Sequence, residues 1–297
     1  MKSNLICLIS LLCFISCAQK KSNTPTNYTY ETVVADINIP WGFVFLPDNS
    51  MLITEKSGEL IHFKNGSKSF IKELPEIIVQ GQGGLMDIEL HPNYTENGWV
   101  YISYASSDGT GKGANTAIMR FKIQNKTAIE KQLLYKATPN SGRGQHFGSR
   151  LEFDNDGFLY FSIGDRGNRD INPQNIERDC GKIYRLLDNG NIPIDNPFVK
   201  DRNAKKAIFS YGHRNPQGMV KHPTTGKIWV HEHGPRGGDE INIIASGKNY
   251  GWPIISYGIN YSGTKFTNLT TLDGMEQPIH YWKPSIAPSG MEFITSD

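Results

Sequence analysis

Four short segments carry side chains that could do chemistry, and each lies where a strand-like run begins or ends. Gly144-Gln145-His146-Phe147-Gly148-Ser149-Arg150 sets a histidine among flexible residues at a loop–strand junction. An imidazole titrates close to neutral pH, so His146 can serve as a general base; a hydrogen-bonded structural histidine is the other reading. Ser162-Ile163-Gly164-Asp165-Arg166-Gly167 follows one hairpin later. That spacing allows Asp165 to meet the imidazole and orient it, although an Asp-containing turn would look the same. Tyr211-Gly212-His213-Arg214-Asn215-Pro216-Gln217-Gly218 joins a planar guanidinium to a two-way amide, so Arg214 and Asn215 suit anionic and carbonyl oxygens. Gly81-Gln82-Gly83-Gly84 offers one amide in a run of glycines, which fits close approach to a ligand or a plain turn equally well.

A fifth stretch, His231–Gly258, has a different character. Gly234, Pro235, Gly237 and Gly238 surround the acids Asp239 and Glu240, and a second glycine turn follows at Gly247–Pro253. Turns of this kind can aim backbone carbonyls inward, and carbonyls beside a carboxylate suit a hard cation such as Ca²⁺. An acidic surface turn has the same composition.

The elements that must position these segments are strands. No long stretch after residue 30 shows helical periodicity; strand-like runs alternate with Gly, Asn, Asp and Pro punctuation. One strand–turn–strand unit recurs with variations. Trp41–Leu46 leads through Pro47-Asp48-Asn49 to Met51-Leu-Ile-Thr, and Leu85–Leu90 through His91-Pro92 to Trp99-Val-Tyr-Ile-Ser. Leu151-Glu-Phe leads through Asp154–Gly157 to Phe158-Leu-Tyr-Phe-Ser, and Met219-Val-Lys through His222-Pro223 to Lys227-Ile-Trp-Val. A fifth unit opens at Gly290-Met-Glu-Phe and stops at Asp297. The units start near residues 43, 87, 151, 219 and 291, the spacing expected of propeller blades with insertions. The expected fold is all-β: a six-bladed β-propeller of four-stranded antiparallel blades, incomplete at its C-terminus, over residues 31–297. A sandwich or barrel is the competing architecture.

Composition agrees with a folded chain. Hydrophobic residues make up 38% and charged residues 20% of the 297, enough to bury a core. A formal charge of +2 with no basic stripe excludes nucleic acid as the expected partner. At the N-terminus, Lys2 precedes an apolar run, Leu5–Ile15, too short to span a bilayer. The segment Phe14-Ile15-Ser16-Cys17 resembles a bacterial lipoprotein box. Residues 1–17 are therefore expected to be a signal peptide with a lipid-bearing Cys17, residues 18–30 a flexible tether, and the location the periplasm or cell envelope. Cys7 and Cys13 leave with the signal, so Cys180 stays alone, with no disulfide partner and the role of a small apolar residue.

Taken together, PWGF, GQGGLMDIELHP, QHFGSRLEFD, IGDRG, GKIYRL with NGNIPIDNPF, YGHRNPQGM, EHGPRGGDEIN, KNYGWP and GINYSG occur in chain order across Trp41–Asp297. In these segments the chain resembles the soluble quinoprotein glucose dehydrogenase and aldose sugar dehydrogenase family, and most of all its bacterial periplasmic aldose sugar dehydrogenase branch. The resemblance implies an oxidoreductase that uses pyrroloquinoline quinone (PQQ) and Ca²⁺ to convert the anomeric hydroxyl of an aldose to a lactone. It implies His146 as the base, Asp165 as its orienting acid, and Gln82, Arg214 and Asn215 around the cofactor, with Arg214 also stabilising charge. Tyr261 would lie against the flat cofactor. The carbonyls of Gly234 and Pro235 would bind the active-site Ca²⁺, and Glu240 with the carbonyl of Tyr250 a structural one. Further cationic residues for the cofactor and a closing blade are expected beyond Asp297. The external electron acceptor stays unidentified, and monomer and homodimer both stay open. Two other functions compete: a Ca²⁺-dependent propeller lactonase or other hydrolase, and a non-catalytic surface-anchored binding propeller.

Overall fold

The computed structural model describes residues 29–295. It divides into two units, Met1–Ala35 and Asp36–Asp297, and all that follows concerns the second. The signal segment with Cys17, and residues 18–28 of the tether, lie outside the described residues.

Sixteen strands form four antiparallel sheets of four. The first holds β1 (Pro40–Phe45), β2 (Met51–Glu55), β3 (Leu60–Lys64) and β4 (Ser67–Phe70). The second holds β5 (Leu85–Leu90), β6 (Val100–Ser106), β7 (Asn115–Gln124) and β8 (Thr127–Lys136). The third holds β9 (Leu151–Phe153), β10 (Leu159–Ile163), β11 (Lys182–Leu186) and β12 (Ile208–Tyr211). The fourth holds β13 (Pro216–Lys221), β14 (Ile228–Glu232), β15 (Asp239–Ile243) and β16 (His280–Trp282). Each sheet is an up-and-down meander in sequence order, which is the blade of a β-propeller.

Burial explains why the second strands read as largely apolar runs. β2, β6, β10 and β11 are buried at every position, because both faces of a blade are covered by its neighbours. The cores accordingly lie between blades. Leu52 and Leu60 pack with Leu85, Val100 and Phe121; Tyr101 and Ile118 pack with Phe153, Phe161 and Tyr184; Tyr160 and Phe209 pack with Met219 and Val230.

A hydroxyl at the fourth position of the second strand ties each of the first three blades to the next. Thr54 Oγ1 accepts from Gly42 N at 3.0 Å and donates to Met86 O at 2.5 Å. Ser103 Oγ accepts from Asp87 N at 2.9 Å and donates to Ser149 O at 2.6 Å. Ser162 Oγ accepts from Arg150 N at 3.0 Å and donates to Pro216 O at 2.9 Å. In β14 the same position holds His231, whose ring occupies the space that any side chain at Gly218 would need. The innermost strands face a channel of about 850 Å³, lined by Asp87, Glu89, Arg150, Glu152 and Glu292 among others.

The expectation of six blades is corrected: the described residues build four. The inner strands begin at Pro40, Leu85, Leu151 and Pro216, so four blades with their long connections use the chain up to Trp282. The fifth unit does not form a strand; Phe293 instead packs edge-on against His222 and Trp229 of the fourth blade.

Candidate active site

The loop that enters inner strand β9 and the loop that leaves second strand β10 bring His146 and Asp165 together. Two glycine-rich turns are pressed against each other here: Gln82 N donates to Gly144 O at 2.6 Å, and a Cβ on Gly81 would lie 2.1 Å from that carbonyl. Gln82 Oε1 in turn accepts from His146 N at 2.7 Å. His146 is held at φ 56°, a left-handed conformation uncommon for a non-glycine residue. The hold is completed by Arg166, which is 1% exposed and donates to the carbonyls of Gln145, Ala114 and Arg143 while its guanidinium lies 3.3 Å over the Phe147 ring.

His146 Nδ1 stands 2.6 Å from Asp165 Oδ1. The carboxylate is buried and committed on every side. Oδ1 also accepts from Gly167 N at 2.6 Å, and Oδ2 accepts from Trp252 Nε1 at 2.9 Å. An ionised carboxylate only accepts, so Nδ1 carries the proton, and in the neutral ring Nε2 holds the lone pair. Nε2 has no partner among the described residues. That is the arrangement of a base with an orienting acid.

Arg214 and Asn215 stand on the adjoining turn. Asp165 N donates to Arg214 O at 2.7 Å, Arg214 Nη1 donates to His233 O at 2.8 Å, and the guanidinium lies 5.4 Å from the centre of the Trp252 ring. Asn215 Oδ1 accepts from Gly148 N at 3.2 Å, whereas its Nδ2 is buried with no partner. A buried amide left with a free donor is costly unless a ligand atom meets it. Gln82, Arg214 and Asn215 therefore fit a cofactor bearing carbonyl and carboxylate oxygens, such as PQQ.

The cation-type residues also converge. Gly234, Pro235, Glu240 and Tyr250 line one cavity of about 20 Å³, together with Arg214, Glu232 and Trp252. The space matches one water-sized particle. Asp239 shapes the loop rather than the cavity, accepting from Gly234 N at 2.8 Å, Ile286 N at 2.8 Å and Ala287 N at 2.7 Å. The Glu240 carboxyl is pushed up to about 8 by burial and by Glu232 beside it. Glu232 and Glu240 bring two carboxyl groups to this cavity beside Gly234 and Pro235, and oxygen donors of that kind suit a hard divalent cation. Ser285 Oγ donates to Pro235 O at 3.0 Å, leaving that carbonyl's second lone pair.

Tyr261 is 74% exposed and makes no hydrogen bond or ring contact among the described residues. Its neighbour Asn260 instead accepts from Arg169 Nη1 at 2.9 Å. Cys180 is buried beside Asn115, whose Nδ2 donates to Sγ at 3.3 Å; burial pushes the thiol up to about 11, as suits a packing residue.

Three functional neighbours escaped the sequence reading. Glu232 accepts from Arg214 N at 2.5 Å with one oxygen and meets His213 Nδ1 at 2.8 Å with the other. The His213 ring is fully buried and stacks on Tyr250 at 4.6 Å. Trp252 joins Asp165 to the Arg214 side of the site. Glu232 and Trp252 sit in segments already conspicuous for glycine, and only their partners, distant in sequence, reveal what they do.

Fold and site together define a propeller enzyme with a histidine–aspartate pair on its loop face. More specifically, the chain belongs to the Glucose / Sorbosone dehydrogenase family, whose model matches residues 37–297. It is 40% identical over 297 residues to aldose sugar dehydrogenase YliI of Escherichia coli (strain K12), covering 98% of this chain and 79% of that protein. The apo-form structure of the soluble E. coli aldose sugar dehydrogenase superposes with a TM-score of 0.84 at 41% identity, covering 88% of this chain and 77% of that one. The PQQ-bound aldose sugar dehydrogenase of Streptomyces coelicolor superposes with a TM-score of 0.72 at 27% identity, covering 88% and 73%.

Proposed function

We propose that the chain is a PQQ-dependent sugar dehydrogenase that oxidises the anomeric hydroxyl of an aldose to a lactone. The observation that carries this reading is the His146–Asp165 pair, with Nε2 free, next to the unpartnered Nδ2 of Asn215. Bound at Gln82, Arg214 and Asn215, PQQ would supply a two-electron acceptor for the hydride from C1, with Ca²⁺ at the Gly234–Pro235 carbonyls as Lewis acid. The protein's own work is the proton. His146 Nε2 takes it from the anomeric oxygen as the C=O bond forms, and Asp165 holds the resulting imidazolium in place. Arg214, fixed through Glu232 and the His233 carbonyl, offers its free guanidinium edge to negative oxygen. The N-terminal segment ending at Cys17 places the enzyme, on the same proposal, as a lipid-anchored protein of the periplasm or cell envelope.

The test is reconstitution with PQQ and Ca²⁺ and dye reduction by a panel of aldoses. Activity should need both additions, and His146→Ala should lower kcat by on the order of 10²–10⁴-fold without lowering Tm appreciably. A folded, reconstituted protein that reduces no dye with any aldose yet opens lactones would replace this reading with the hydrolase.

A further inference from the structure

Next to the segment that carries His146 lies a second cavity, of about 160 Å³. Three arginines line it: Arg143, Arg166 and Arg178. None of them forms an ion pair with a carboxylate among the described residues. The one acid in the lining, Asp179, is already satisfied. It accepts from Tyr135 OH at 2.5 Å and Thr138 N at 2.9 Å, and pairs with Lys205 Nζ at 3.1 Å. Arg166 is 1% exposed, gives its terminal nitrogens to backbone carbonyls, and keeps a buried Nε with no partner. Arg178 uses Nε on Asn172 Oδ1 at 3.3 Å, and Arg143 one Nη on Gly167 O, so both retain free donors.

Burying a guanidinium with no carboxylate in contact is expensive, and carbonyl dipoles with the nearby Asp165 charge offset it only in part. The depression of Arg166 to about 10 by burial reports the same cost. An oxyanion would supply the missing charge and accept several charge-assisted hydrogen bonds at once. A space of about 160 Å³ has room for a tetrahedral anion with part of its hydration. We propose that this cavity, lined by Arg143, Arg166 and Arg178, is a binding site for a small oxyanion of the phosphate or sulfate type. It is separate from the site at Arg214. Arg166 holds the carbonyls of Arg143 and Gln145, so an occupant would brace the segment that leads into His146.

The test is calorimetric titration of the whole chain with inorganic phosphate at low ionic strength, with potassium chloride at matched ionic strength as the control. Tm is followed in parallel. Saturable one-to-one binding is expected, with a Tm that climbs with phosphate and not with chloride. Sulfate should compete. Arg178→Gln and, at an exposed position, Arg143→Gln should each weaken binding about tenfold or more, whereas Arg214→Gln should leave it unchanged. Absence of saturable binding overturns the proposal. So does binding that survives both of the first two variants or disappears in Arg214→Gln.

Discussion

Asp165 spends both of its carboxylate oxygens on the site: Oδ1 on His146 and Gly167 N, Oδ2 on the indole of Trp252. A carboxylate so surrounded cannot rotate without breaking a charge-assisted bond, and its immobility is what aims His146 Nε2. Trp252 thus acts through Asp165, as a positioning residue. Trp252→Phe keeps the ring and removes the N–H. A hydrogen bond to a charged group contributes about 1.5–3 kcal/mol, so kcat should drop by roughly 10- to 150-fold at most. The aldose KM should change far less, because the indole N–H is spent on Asp165 Oδ2 and the proposed contact with the substrate is made by His146 Nε2. Steady-state kinetics of the reconstituted variant separate the two; a rise confined to KM would mean that Trp252 shapes the sugar pocket instead. The His146–Asp165 pair was legible in the sequence because one short hairpin separates two residues of complementary chemistry. The His213–Glu232 pair spans the same 19 residues across the β13–β14 hairpin and was not read, since nothing local marks the glutamate that ends β14 as a partner for a histidine.

Among the elements, strand order and the inner-strand positions were readable from period and punctuation. The repeat starts near 43, 87, 151 and 219 fall inside β1, β5, β9 and β13. The number of blades was not readable, because a repeat start does not reveal whether the chain behind it completes a sheet; the described residues from Gly290 form no strand. Also overlooked was the hydroxyl at one fixed position of MLIT, VYIS and LYFS, polar in runs that are otherwise apolar. Its meaning is topological: it joins the inner strand of its own blade to that of the next. Ser162 is fully buried and serves Arg150 N and Pro216 O together. Ser162→Ala would strand both groups away from water, at a cost of about 1–3 kcal/mol for each group left unsatisfied. Urea denaturation should show a midpoint lowered accordingly with an unchanged m-value. An unaltered midpoint would mean that water or a strand shift replaces the hydroxyl.

At the scale of the whole propeller unit, the central channel gathers acids that the loop-face chemistry does not use. Asp87 is raised by burial even though Arg150 Nη1 stands 2.8 Å from it, and Glu89 is raised well above its ordinary value by burial with Glu152 and Asp87 adding to it. Glu152 is pushed up to about 7, first by burial, with Lys221 only partly opposing. The sign of the consequence follows from linkage. Below about pH 4.5 the Glu152 carboxyl is protonated in the folded and the unfolded chain alike, and its titration does not affect stability. Between there and about 7 the unfolded chain gives up the proton while the folded chain keeps it, so stability is lost as pH rises. Above about 7 the loss is complete. Glu152→Gln removes that contribution, because a neutral amide has nothing to titrate. The variant should therefore gain Tm over the parent at pH 8, match it near pH 4.5, and show a flatter profile between, with Ca²⁺ held constant throughout. Glu89, relieved of its neighbour's charge, ionises more easily in the folded variant and adds to the gain at pH 8. Parallel profiles would mean that channel water solvates Glu152 fully, and that the acids facing the channel cost the fold nothing at neutral pH.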